Sequence, residues 1–157
     1  MQKKSNALID TLKLVTIFAG FSQENLEILV KDCPTVKHKK GAVLIEESTP
    51  ASDIYIILKG QISIVLNNCG NPLKVAEFGP GHCIGEASVI GILNHSASAL
   101  ALTDVSLLVL SKKYMMKTFH TDPLLFSLLI LNIARELARR LHNTNLLMLD
   151  IWKKSGN

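Results

Sequence analysis

A chain of 157 residues with 48% hydrophobic and 19% charged side chains can bury a core without metal or crosslinks, which excludes a disordered tail or a disulfide-stapled miniprotein. Its net charge of +4 favours anionic partners in general but is too small and too scattered to point to nucleic acid. The three cysteines, Cys33, Cys69 and Cys83, form no CxxC pair, so neither a zinc site nor a disulfide framework is implied, and reduced thiols in a cytoplasmic protein are expected. Asp10 and Lys13 interrupt any signal-peptide core, and the longest uncharged run, Ala87 to Thr103, carries Asn94, His95 and serines, so no membrane span is expected.

Apolar residues at Leu8, Ile9, Leu12, Val15 and Ile17 recur at helical spacing and predict a helix over Ala7–Phe18. Gly20 then turns the chain. Ser22 is a good N-cap for a second helix, Gln23 to about Asp32, which Pro34 ends. From Val36 the period becomes two. Val43 and Ile45, then Ile54, Ile56 and Leu58, then Ile62, Ile64 and Leu66 alternate with other residues and predict strands. Turns are expected at Lys40-Gly41, Ser48-Thr49-Pro50, Lys59-Gly60 and Asn67–Pro72. Lys37-His38-Lys39-Lys40 is the densest basic run and reads as a solvated strand end.

Two more strands are expected at Ala97–Thr103 and Val105–Leu110. So many short strands predict a mainly β domain, an antiparallel sandwich, jelly roll or barrel with flanking helices. Ser111 can cap a short helix through Phe119, and Asp122-Pro123 opens a long one with nothing to break it before about Lys153, over about 40 Å in length. Along it Ile130, Ala134, Leu137, Leu141, Thr144, Met148 and Ile151 fall on alternating four- and three-residue steps, a coiled-coil seam that predicts a homodimer. Glu136 and Arg140 are an i,i+4 pair off that seam.

The stretch Gly81–Ala101 carries the chemistry. Its glycines and small hydroxyl residues suit a close approach to phosphate, and Glu86, alone after Gly85, suits a sugar hydroxyl. No P-loop, metal motif or Ser-His-Asp order stands out, and His82 and Cys83 point to opposite sides of an extended segment, so no enzyme is expected.

The order of elements, with Gly81-His82-Cys83-Ile84-Gly85-Glu86-Ala87 and Leu137-Ala138-Arg139-Arg140-Leu141-His142-Asn143-Thr144, resembles the cyclic nucleotide-binding domain of the catabolite activator superfamily from about Leu14 to Asp150. The resemblance implies one domain over 1–157: N-terminal helices 7–34, an antiparallel β-roll (a double-stranded β-helix) 36–111 with a phosphate-binding cassette 81–98, and a dimerisation helix 122–153. It implies a sensor module for cyclic AMP, with cyclic GMP the second candidate. Glu86 would hold ribose. Gly85, Ala87 and Ser88 would offer backbone contacts, Ser96 would sit beside the phosphate, and Thr144 and Asn145 would lie near the base. His95 stands where the family usually has a phosphate-binding Arg. A charge-assisted bond is worth roughly 1.5–3 kcal/mol, so about one to two decades of affinity are at stake. The alternatives are a dimeric interaction module that keeps the fold without nucleotide, and the effector domain of a truncated transcription regulator. Only Lys153-Lys154-Ser155-Gly156-Asn157 follow the long helix, so no DNA-reading unit is expected in this chain, and the downstream partner is unidentified.

Overall fold

The computed structural model describes residues 2–68 and 70–156, with side chains from residue 7 onward except that of Asn68; Cys69 lies outside the described residues. The first helix, α1 (Gln2–Leu12), is shorter at its C-terminal end than its apolar pattern suggests. The chain turns at Lys13 and Leu14 and re-enters as a single 3-10 turn, Thr16–Phe18, with Ile17 and Phe18 buried. The period continued through Val15 and Ile17 because these side chains also reach the core, though from a turn. Helix α2 (Gln23–Asp32) has the expected limits, and Ser22 caps it by accepting from the Asn25 amide while Asn25 Oδ1 accepts from the Ser22 amide.

Among the described residues eight strands follow: β1 (Thr35–His38), β2 (Val43–Ile45), β3 (Asp53–Lys59), β4 (Ile62–Asn68), β5 (Asn71–Phe78), β6 (Cys83–Ile84), β7 (Ser98–Ala101) and β8 (Val105–Ser111). They form two four-stranded antiparallel sheets, ordered β1-β8-β3-β6 and β2-β7-β4-β5. The inner faces meet over Ile57, Ile62, Ala99, Ala101 and Leu107. The outer face of the first sheet, with Ile54, Ile56, Leu108 and Leu110, is covered by the helices. Strand β3 is therefore buried on both faces, and Ile57, outside the expected alternation of Ile54, Ile56 and Leu58, is fully buried. Strand β5 begins inside the expected Asn67–Pro72 turn. It is an exposed edge with Leu73 and Val75 facing solvent, so it leaves little burial pattern in the sequence.

A short helix, α3 (Glu86–Gly91), leaves β6, and Ile92 closes it at φ +54°, a rare conformation for a β-branched residue. Ser111 and Asp122 cap α4 (Lys112–Thr121) and the 32-residue α5 (Pro123–Lys154) by accepting from Tyr114 and Leu125 amides. The first half of α5 packs on the core through Leu129, Ile133 and, in part, Ile130 and Leu137. Two members of the expected seam thus meet the chain's own core. From Leu141 to its end the helix is exposed. No described helix is long and apolar enough to cross a membrane.

Buried Asn132 ties α5 to the 3-10 turn by donating to the carbonyls of Ile17 (3.2 Å) and Ala19 (2.8 Å). Asn132→Ala strands those carbonyls and leaves a void, at a cost on the order of 2–3 kcal/mol in urea unfolding.

Candidate functional site

Strand β6 is only two residues long because Gly85 adopts φ +86° and turns the backbone directly into α3. A Cβ at Gly85 would lie 2.9 Å from the Asp53 carbonyl and 3.6 Å from the His95 ring, so glycine alone lets this turn pack against β3 and the 94–98 segment. The turn delivers Glu86 to the first position of α3, 2% exposed, at the floor of a cavity of about 150 Å³. Six of the eight residues expected to bind, Gly85, Glu86, Ala87, Ser88, His95 and Ser96, line it together. The backbone holds the far wall in place: the His95 amide donates to Thr49 O (2.9 Å) and its carbonyl accepts from Ser48 (2.8 Å). Thr144 and Asn145 are not brought to the cavity. They are exposed on α5 in this single chain.

The long helix instead contributes Arg140, which the sequence pattern places only in a helical pair with Glu136. Its Nη1 donates to Glu86 Oε1, its Nη2 to the Cys83 carbonyl (2.7 Å) and its Nε to Glu136 Oε1 (3.1 Å). The guanidinium carbon lies 4.5 Å from the centroid of the Phe78 ring. Glu136 is buried too and is further held by Arg139 Nη2 (2.5 Å) and the Thr16 hydroxyl (3.0 Å). A signal was present in the sequence: a lone buried acid needs a cation, and Arg140 is one turn from Glu136. The partner could be named only once the helix was docked.

The cavity's charge is closely balanced. Arg140 serves two buried carboxylates, so its positive charge is already committed. Burial raises the Glu86 carboxyl above its usual range and outweighs the opposing pull of Arg140. Among the described residues Glu86 Oε2 is buried with no hydrogen-bond partner, an acceptor that a hydroxyl in the cavity would satisfy. Burial lowers the His95 imidazole below its usual value, so it favours the neutral form.

The family model described as the cyclic nucleotide-binding domain matches residues 35–122. The chain is 25% identical over 131 residues to the cyclic AMP receptor protein of Thermus thermophilus, spanning 83% of this chain and 59% of that one. It is 26% identical over 136 residues to the CRP-like cAMP-activated global transcriptional regulator of Mycobacterium tuberculosis, with 86% and 59% covered. The chain therefore spans about three-fifths of the length of these curated relatives. The Thermus thermophilus catabolite activator protein superposes with a TM-score of 0.75 at 25% identity, over 88% of this chain and 63% of that one. A cyclic nucleotide-binding domain from Methylobacillus flagellatus shares the fold at a TM-score of 0.83 and 21% identity, with 94% and 84% covered.

Arg140→Ala leaves Glu86 buried without its cation, while Glu136 keeps Arg139, and costs about 3 kcal/mol at neutral pH. A carboxyl whose folded pKa lies above its unfolded value stabilises the fold when protonated. The Glu86 contribution is therefore fully present in acid and is lost as pH rises from 4.5, the ordinary value, through the raised folded value, so the deficit of the variant relative to the parent chain is smaller at pH 5 than at pH 7.5. Urea titrations at pH 5 and pH 7.5 check the direction.

Proposed function

Because the chain belongs to the cyclic nucleotide-binding domain family, we propose that it is a regulatory module that takes cyclic AMP, with cyclic GMP the second candidate, into the cavity over Glu86. The observation that carries this reading is the partnerless Oε2 of Glu86, because the ribose 2′-hydroxyl is a donor of the right kind for it. The phosphate would sit toward Ser88, Ser96 and His95, near the first-turn amides of α3, which have no intrahelical acceptors. Arg140 uses three of its five N–H donors and keeps one on each terminal nitrogen.

A cavity of about 150 Å³ is smaller than the roughly 300–1,000 Å³ of most ligand sites, so the base would project beyond it. Thr144 is four residues after Arg140, hence one turn along α5 on the same face, and Asn145 is beside it. The base would meet that stretch. The exposed Leu141, Leu147, Met148, Ile151 and Trp152 favour a second copy of the chain against the end of α5. Leu147→Glu with Ile151→Glu then shifts sedimentation from dimer to monomer while the single-chain fold is kept. Unchanged sedimentation would rule out this interface.

The reading ties affinity to protons. With Arg140 committed, the cation facing the phosphate has to be His95. An anion beside the imidazole raises its pKa, so binding takes up a proton. Affinity is highest below the free protein's lowered His95 pKa and falls as pH rises toward the higher bound value. Cyclic AMP should raise the melting temperature more at pH 6 than at pH 8. No shift at millimolar cyclic nucleotide at either pH excludes the proposal.

A second reading rests on the same charge balance: with no free cation, the domain would serve as an interaction module without nucleotide. His95→Arg separates the two. Under the first reading calorimetry shows cyclic AMP binding about ten- to a hundredfold tighter at pH 8, from one added charge-assisted bond. Under the second it shows no heat.

A further inference from the structure

A larger cavity, about 300 Å³ against about 150 Å³ over Glu86, lies at one end of the sheet β1-β8-β3. Lys37, Lys39, Lys59, Asp104 and Ser106 are among the residues that line it. Strand register builds this site. Lys37 on β1 is paired with Ser106 on β8, and Ser106 is paired in turn with Lys59 on β3. Directly paired residues send their side chains to one face, so the three make a row of ammonium, hydroxyl and ammonium. The lysine Cα atoms are two strand spacings apart, about 10 Å.

That face is the outer one. Leu108 and Leu110, two and four residues beyond Ser106 on the same side of β8, are buried under the helices. Lys37 and Lys59, beside Ser106, are exposed. Lys59 reaches this face because of a bulge between Ile57 and Lys59. With unbroken alternation it would follow Tyr55 and Ile57 into the interior. The rim is stiff as well: Gly60 stands so close to Asp104 that a Cβ there would lie 2.4 Å from the Asp104 carbonyl.

The lysine pair is only partly offset from within the chain: Asp104 attracts Lys59 at a distance but its direct ion pair is with Lys39. Asp104, the acid at this cavity, already accepts from Lys39 Nζ (2.7 Å) and the Lys40 amide (3.1 Å), and these donors hold its carboxyl below the usual range. Among the described residues Lys37 and Lys59 make no ion pair and the Ser106 hydroxyl makes no hydrogen bond. Four lysines, Lys37, Lys39, Lys40 and Lys59, against one aspartate concentrate here most of a net charge that is +4 for the whole chain. Like charges held in one row repel, and an anion between them removes that repulsion.

We propose that this cavity binds a phosphate-bearing anion, a phosphomonoester or diphosphate, with Lys37 and Lys59 pairing with its oxygens from either side and Ser106 Oγ donating between them. Two point charges and a hydroxyl converging on one group call for at least three acceptor oxygens around one centre. Phosphate presents one oxygen to each of the three donors, whereas a carboxylate would have to share its two oxygens among them, so the row favours phosphate. The site is separate from the cavity over Glu86 and does not depend on how that cavity is used.

The test is a titration of the full chain with inorganic pyrophosphate, read by calorimetry and by amide chemical shifts. The expected result is saturable binding with shifts centred on Lys37, Lys59 and Ser106. Lys37→Gln and Lys59→Gln should each weaken it about tenfold or more, and Ser106→Ala a few-fold, with melting temperatures unchanged because both lysines are exposed. Absence of saturable binding at millimolar pyrophosphate overturns the proposal, as does binding that the double lysine variant retains. Displacement of pyrophosphate by cyclic AMP overturns it too, since that assigns the anion to the cavity over Glu86. If cyclic AMP fails to bind at all, the reading of that other cavity falls and this one stands on its own result.

Discussion

The guanidinium of Arg140 joins the two halves of this molecule. On one side it meets Glu86 and the Cys83 carbonyl, at the turn where strand becomes short helix; on the other it meets Glu136 in its own helix, which the Thr16 hydroxyl also reaches. Removing one partner of such a buried cluster costs far more than forming the intact cluster gains, because the remaining charges lose both water and counter-charge. On the proposed reading the position of α5 would therefore depend on what occupies the cavity. A ligand that competed for Glu86 or Arg140 would act on the helix directly, and through Glu136 on the N-terminal turn. That is the physical content of a ligand-biased element.

The same cluster governs the chemistry of the site. With Arg140 shared between Glu86 and Glu136, which Arg139 also holds, Glu86 Oε2 is an acceptor to spare, and among the described residues no second Lys or Arg lines the cavity. Burial acts on the acid and the imidazole in one sense: it raises Glu86 and lowers His95, and so opposes charge on each. Such a site is well suited to a sugar hydroxyl as it stands. On the proposed reading it would accept an anion most readily when a proton arrives with it.

Much of the fold could be read from local patterns because local causes built it. Ser22, Ser111 and Asp122 cap their helices in the structure as their side chains and positions suggest. Patterns failed where burial came from elsewhere. Strand β5 is an exposed edge and carries little alternation, and Ile57 is buried on the face that a simple period-two reading of β3 assigns to solvent. The apolar period of the first helix ran into a 3-10 turn that buries the same residues without continuing the helix.

For the site, the sequence by itself determined the segment 85–96 as a unit, because a glycine turn, an adjacent acid and a small polar cluster lie within a dozen positions and fold together through short contacts. It also determined that the long helix has more apolar surface than one core can cover, since that follows from its residues alone. Tertiary structure decided which cation answers Glu86. Arg140 is 54 positions away and arrives only through the docking of a helix held by core packing and by Asn132. It likewise decided that Lys37, Ser106 and Lys59 form one row, because cross-strand register and a single bulge are properties of paired strands and cannot be read from any one of them.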